Sequence, residues 1–336
     1  MAVFPVTHLI VVIFFLDQAA WAFSSTVALK QSVSEQKTSD IGFVCPRHRL
    51  PYTYPRFSVC SSFKQVVGKS AITMADCTKG FEIFILSGQS NMSGRGGMQT
   101  IVAKDGSTSR KWDGIVPAEC AAEPGSILRL NKNLEWEEAH EPTHIDIDTS
   151  KACGVGPGLV FAASLLRARK YKVKPTGPQI GLVPCAIGGT SIVQWEKGRV
   201  LYNHMIQRTK AALEKGGTLK ALLWYQGESD AVEKSLADHY EQRLVTFFNH
   251  VRTDLNNHNL PIIQVAINWP AAPHPEYVNK VRSAQRAALD HVKHLHLVDA
   301  LGLPLLSDHI HLTTEAQTEL GLMLLEKYIS TGEGKD

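Results

Sequence analysis

Neither Cys-x-x-Cys nor His-Glu-x-x-His occurs in the chain, which removes the usual supports for a zinc site. Its glycine clusters match neither the phosphate-cradling loop of nucleotide hydrolases nor the dinucleotide fingerprint. There is no long basic run, and a net charge of +3 is too small to point to nucleic acid. Leu9 to Leu16 is a compact apolar run, too short to span a bilayer. Six cysteines in 336 residues cannot make a disulfide scaffold. Cys120 and Cys153, which flank an irregular stretch, are the pair expected to bridge, and Cys185 is expected to be a small buried residue. Only one Asn-x-Ser/Thr sequon is present, Asn91-Met92-Ser93.

With 44% hydrophobic and 20% charged residues, the composition is that of an ordinary globular protein. Ala20-Trp21-Ala22 follows the apolar run and fits a signal-peptide cleavage site, so residues 1–22 read as a secretory signal and the chain as secreted. The positive n-region of such a signal is missing, which leaves an organellar or cytoplasmic destination as the alternative. Residues 23–80 are rich in Ser, Thr and Lys, show little periodicity and read as a poorly ordered extension.

The chain is organised around Ile83-Phe84-Ile85-Leu86 and the Gly88-Gln89-Ser90-Asn91 turn that follows. An apolar run of this kind is a buried strand, and a serine just past its end is exposed at a sheet edge beside backbone N–H groups. Ser90 is there either a nucleophile or the N-cap of the next helix. Glycosylation of Asn91 would block such a site unless folding buries it first.

Residues 98–150 show weak periodicity and read as a long loop over the site. Trp112, Trp136, His144, Asp146 and Asp148 stand in it, and the tryptophans either stack on sugar rings or fill a core. From there strands and helices alternate. Helix is expected to about Tyr171, strand over Gln179 to Val183, helix over 201–215, strand over 219–224 and one long helix over 235–255. A strand over 261–267, helix over 277–291, strand over 294–298 and a final helix over 314–330 follow, the last opened by a capping box at Thr314-x-x-Gln317. Alternation of this kind is an α/β fold with a central parallel sheet, whose ligands bind outside the carboxyl ends of the strands. Ser90, Gly188-Gly189 and Gln226-Gly227-Glu228 all fall at such ends. Before the last helix, Asp308-x-x-His311 is spaced so that a carboxylate can hold one imidazole nitrogen while the other faces a serine, with His309 as the other candidate.

Gly88-Gln89-Ser90-Asn91, Gly188-Gly189-Thr190, Gln226-Gly227-Glu228 and Asp308-x-x-His311 occur in the order seen in SGNH hydrolases. More narrowly, residues 81–332 resemble the sialate O-acetylesterase and carbohydrate esterase family six group, above all its plant carbohydrate esterases. The resemblance implies a three-layer α/β/α, flavodoxin-like fold and hydrolysis of O-acetyl esters on carbohydrates without metal or organic cofactor. It implies Ser90 as nucleophile, His311 as base and then acid, and Asp308 as its orienter. The implied oxyanion hole is the N–H of Ser90, the N–H of Gly189 and the side-chain amide of Gln226, supported by Asn91, Gly188 and Glu228. Tyr225 stands where some members carry histidine, which puts any accessory role for that position in doubt. A lipid or thioester hydrolase and a carbohydrate-binding relic are the rival readings.

Overall fold

The structure, a computed structural model, describes residues 81–169 and 180–332. The expected signal peptide and poorly ordered extension, Cys45, Cys60, Cys77, the expected helix end at Tyr171 and strand start at Gln179 lie outside the described residues. The elements run β1 (Glu82–Gly88), α1 (Ser90–Ser93), β2 (Met98–Val102), β3 (Thr108–Trp112), β4 (Ile127–Leu130), β5 (Trp136–Glu138), α2 (Pro157–Ala168), β6 (Ile180–Pro184) and α3 (Val200–Glu214). They continue with β7 (Thr218–Tyr225), α4 (Lys234–Asp238), α5 (Tyr240–Asp254), β8 (Ile262–Ala266), α6 (Pro275–His291), β9 (Leu295–Asp299) and α7 (Thr314–Ser330).

Seven strands form one sheet in the order β5-β4-β6-β1-β7-β8-β9, and β1 lies at its centre. All pairs are parallel except β4 with the edge strand β5. Every residue of β1 is buried, which is why its sequence runs apolar instead of alternating: a central parallel strand is covered on both faces. On one face Phe84 of β1, Phe161 of α2 and Tyr328 of α7 meet edge to face. On the other, Trp224 of β7 packs with Trp195 and with Phe247 and Phe248 of α5. Each such ring pair adds about 0.5–1.5 kcal/mol beyond the area it buries. The expected three-layer α/β/α arrangement is thus observed, with a mostly parallel sheet.

Four local expectations are corrected. Residues 98–150 are not one loop: β2 and β3 pair as an antiparallel hairpin, and β4 and β5 extend the main sheet. Strands of four and three residues are too short to show a period, and the strand that joins them to the main sheet, β6, is distant in sequence. Trp136 accordingly packs edge-on against Phe81, with ring centroids 5.2 Å apart, as core at the sheet margin. The long helix is two, α4 and α5, because His239 leaves helical geometry (φ −107°, ψ 5°) and its Nδ1 lies 2.8 Å from the carbonyl of Ser235. The last helix is capped by Thr313, whose hydroxyl accepts from the N–H of Ala316, so Gln317 is free to turn elsewhere.

The fourth correction concerns the cysteines. Cys120 and Cys153 are free and buried, as is Cys185. Cys153 Sγ lies 3.6 Å from the carbonyl of Asp148 and 3.7 Å from Nη1 of Arg95, among polar partners of its own. Burial pushes the Cys153 and Cys185 thiols up to about 11, and that of Cys120 higher still, so all three stay neutral.

Candidate active site

Gly88 ends β1 at φ +132°, a conformation that L side chains rarely adopt. A Cβ there would stand 2.1 Å from the carbonyl oxygen of Tyr225, so glycine alone lets β1 and β7 close at this level. Gln89 N–H donates to that same carbonyl at 2.8 Å, and the chain then turns into the single-turn helix α1. Ser90 is its first residue. A first-turn N–H has no intrahelical acceptor, and among the described residues that of Ser90 takes none elsewhere.

Ser90 Oγ lies 2.9 Å from Nε2 of His311, and Nδ1 of His311 lies 2.7 Å from Oδ2 of Asp308. The other oxygen, Oδ1, accepts from the N–H groups of Ile310 and His311, so the Asp-x-x-His spacing closes into a turn that holds both side chains together. His311, not His309, faces the serine. Arg110 of β3 also donates to Oδ2 of Asp308. Burial works against the charged form, but the bonds from His311 and Arg110 outweigh it and hold the Asp308 carboxyl well below the usual carboxylate range. The imidazole is therefore oriented by an ionised carboxylate, with its other nitrogen turned to a hydroxyl.

Asn91 ties the serine turn to the histidine loop. Its Nδ2 donates to Ile310 O at 3.1 Å and to Glu228 Oε1 at 2.8 Å, and its Oδ1 accepts from Leu312 N–H at 3.0 Å. These contacts bracket His311 on both sides. Gln317 Nε2 donates to the Asn91 carbonyl at 3.1 Å, which is where the side chain released from the helix cap goes. Asn91 has no exposed surface, so in the folded chain the single sequon is out of a glycosyl transferase's reach.

Glu228 is buried, and its Oε2 has no partner among the described residues. Burial raises its pKa to about 7, against the bond from Asn91. Ordinary glutamate titrates near 4.5, so the unfolded chain releases this proton earlier than the folded one. The stability associated with Glu228 is thus full below pH 4.5 and is lost as pH rises toward 7. Glu228→Gln keeps an oxygen for Asn91 and has no proton to lose. Relative to wild type it is expected to gain up to about 3 kcal/mol of stability between pH 4.5 and 8, read by urea unfolding at each pH. A pH-independent difference would remove Glu228 from this linkage.

The Gly188-Gly189 turn lies alongside the serine strand, because Cys185 N–H donates to Leu86 O and Ile187 N–H to Gly88 O. Gly188 N–H is spent on Oδ2 of Asp148 at 3.1 Å. Gly189, exposed at φ +74°, keeps its N–H without an acceptor among the described residues. Ser90 and Gly189 therefore offer two unclaimed backbone donors.

Gln226 does not fill the place expected for it. It has no exposed surface, and its Nε2 is taken by Asp230 Oδ2 (2.5 Å), Thr190 O (2.9 Å) and Gln89 Oε1 (3.2 Å). An amide has two N–H groups, and these three acceptors claim both. Gln226 instead braces the residue before Ser90 against the residue after Gly189. Burial lifts the Asp230 carboxyl to about 7, opposed by its bonds from Gln226 and the N–H of Ile192.

Arg110, Arg95, Asp148 and Asp230 join the site without a role assigned from the sequence. Arg95 and Asp230 lie just beyond the Gly88-Gln89-Ser90-Asn91 and Gln226-Gly227-Glu228 motifs, and Asp148 lies in the 98–150 stretch. Arg110 carries no local signal: it reaches Asp308 across 198 residues.

The family model for carbohydrate esterase, sialic acid-specific acetylesterase matches residues 80–330. Over 250 residues the chain is 51% identical to the probable carbohydrate esterase At4g34215 of Arabidopsis thaliana, a match that covers 74% of this chain and 90% of that protein. The X-ray structure of Arabidopsis thaliana protein AT4G34215 is similar with a TM-score of 0.67 and 48% identity, over 74% of this chain and 98% of that one. The crystal structure of NanS is similar in fold, with a TM-score of 0.57 and 16% identity, over 75% and 97% of the two chains.

Proposed function

Because the chain belongs to the carbohydrate esterase, sialic acid-specific acetylesterase family, we propose that it hydrolyses O-acetyl esters of carbohydrates through an acyl-enzyme on Ser90. The observation that carries this reading is the continuous hydrogen-bonded path from Asp308 through His311 to Ser90. Ser90 Oγ attacks the acetyl carbonyl carbon while His311 Nε2 takes its proton. The carbonyl oxygen gains negative charge and is met by the N–H groups of Ser90 and Gly189, each such donor being worth roughly 3–4 kcal/mol. The tetrahedral intermediate collapses, His311 returns the proton to the departing sugar oxygen, and the acetyl group stays on Ser90. Water then attacks with His311 as base, acetate leaves, and Ser90 regains its proton.

Asp308 keeps the imidazole in the tautomer that can accept from serine and stabilises the imidazolium once formed. Asp308→Asn is expected to lower kcat on an acetyl ester by roughly 100- to 10,000-fold with little change in KM, measured by initial rates. Wild-type rates in that variant would remove Asp308 from the reaction.

The reading is tested by acetate release from acetylated xylan, with p-nitrophenyl acetate and butyrate in parallel. Acetate from the polymer and a steep fall from acetyl to butyryl are expected. Equal rates on both p-nitrophenyl esters would overturn the acetyl assignment in favour of a lipid-type hydrolase. Inactivity on every ester, with no labelling of Ser90 by a fluorophosphonate, would favour a carbohydrate-binding relic.

A further inference from the structure

Asp148 is fully buried, and the hydrogen bonds to its carboxylate are distributed unevenly. Oδ2 accepts from Arg95 Nη2 at 2.6 Å, Ser93 Oγ at 2.8 Å and Gly188 N–H at 3.1 Å. Oδ1 is buried without a partner among the described residues. A buried carboxylate is costly unless its charge is matched and its lone pairs are used. The Arg95 guanidinium matches the charge, and all three donors gather on one oxygen while the other stays bare. They fasten two turns to one atom: the serine turn, through Ser93 and Arg95, and the Gly188-Gly189 turn. Gly188 is also where the second turn comes against the serine, since a Cβ built on it would stand 3.4 Å from Ser90 Cβ and 2.4 Å from Arg95 Nη2.

We propose that Asp148 is a positioning residue of the esterase reaction, which grips Gly188 N–H so that the N–H of Gly189 stays aimed at the ester's carbonyl oxygen. This rests on the reading of Ser90 as nucleophile. Arg95 has a second part in it. An unpaired carboxylate this near a developing oxyanion would oppose the charge, and the guanidinium beside it cancels that field. The 98–150 stretch that carries Asp148 thereby acts on the reaction from behind the turn, without touching substrate.

The test compares p-nitrophenyl acetate with its thionoacetate, in which the developing anion sits on sulfur and gains little from N–H donors. Asp148→Asn is expected to lower kcat on the oxygen ester by roughly 10- to 100-fold, less than deletion of a whole donor, with KM within about twofold. On the thionoester the fall is expected to stay under about threefold, so the ratio of the two rates drops roughly tenfold or more. That ratio, taken on one sample, does not depend on the folded fraction. Ser93→Ala removes one of the three bonds while keeping the Arg95 pair, and it should move the ratio the same way by about two- to fivefold. An equal fall on both esters, or an unchanged ratio, overturns the role of Asp148. Fluorophosphonate labelling of the wild type separates the two failures. An unlabelled Ser90 overturns the nucleophile reading and this proposal with it, whereas a labelled Ser90 with an unchanged ratio overturns only this proposal.

Discussion

Ser90→Ala and His311→Ala are each expected to lower kcat on acetyl esters by roughly ten thousand- to a million-fold. In the proposed mechanism the hydroxyl and the imidazole act on one proton, so the effects do not add: the double variant should be no slower than Ser90→Ala alone. What survives in each is binding and the two backbone donors, which need neither side chain. Stability should barely move in Ser90→Ala, by about 0.5 kcal/mol, because the hydroxyl makes a single bond and the alanine methyl fits where Cβ already stands. Initial rates and a urea melt on the same preparation check both halves. A fully folded Ser90→Ala that retains more than about a hundredth of the wild-type rate would contradict the roughly ten-thousand-fold minimum and remove Ser90 as nucleophile.

Gly88→Ala is expected to have the largest effect on the fold itself. The added methyl would meet the Tyr225 carbonyl oxygen at 2.1 Å, its carbon at 2.7 Å and the Tyr225 nitrogen at 2.9 Å. These are backbone atoms of the adjacent strand β7, so no rotamer relieves the contact. The φ of +132° adds its own strain for any L side chain. Together these should cost about 4–5 kcal/mol, equivalent to a Tm lowered by roughly 10–15 °C for a domain of this size. Gly106→Ala is the control. Gly106 also has a positive φ, +82°, but a Cβ there meets nothing within 4 Å, so only the conformational strain remains and the loss should be about 1–2 kcal/mol. Equal losses in the two variants would show that the close approach of β1 and β7 is not what Gly88 provides. Because Gln89 and Ser90 follow Gly88 directly, the folded fraction of Gly88→Ala should also be slow on acetyl esters.

The strand that leads to Ser90, the alternation of strands and helices and the meeting of Asp308 with His311 were legible in the chain itself. All three depend on local physics. Apolar runs bounded by glycine or proline mark buried strands, the period of the later helices marks their buried faces, and a spacing of three in a turn keeps two side chains within reach. Even the location of the site followed from order alone, since parallel strands present their carboxyl ends on one edge.

Tertiary structure alone decided which of the other polar groups bonds to which. Gln226 and Gly189 both follow strand ends and both carry N–H donors, yet packing spends the amide of Gln226 on Asp230, Thr190 and Gln89 and leaves Gly189 open. Arg110 reaches Asp308, and Asn91 reaches Glu228, across 198 and 137 residues. No window of sequence contains both partners. The short strands β4 and β5 exist because β6 offers β4 an edge and β4 offers one to β5, not because four and three residues have a preference strong enough to show. Cys120 and Cys153 stay apart for the same reason: the fold gives Cys153 the carbonyl of Asp148 and the guanidinium of Arg95 as neighbours. Periodicity records which face of an element is buried. The direction of a buried donor depends on atoms brought in from elsewhere in the chain, and those arrive only when the sheet is assembled.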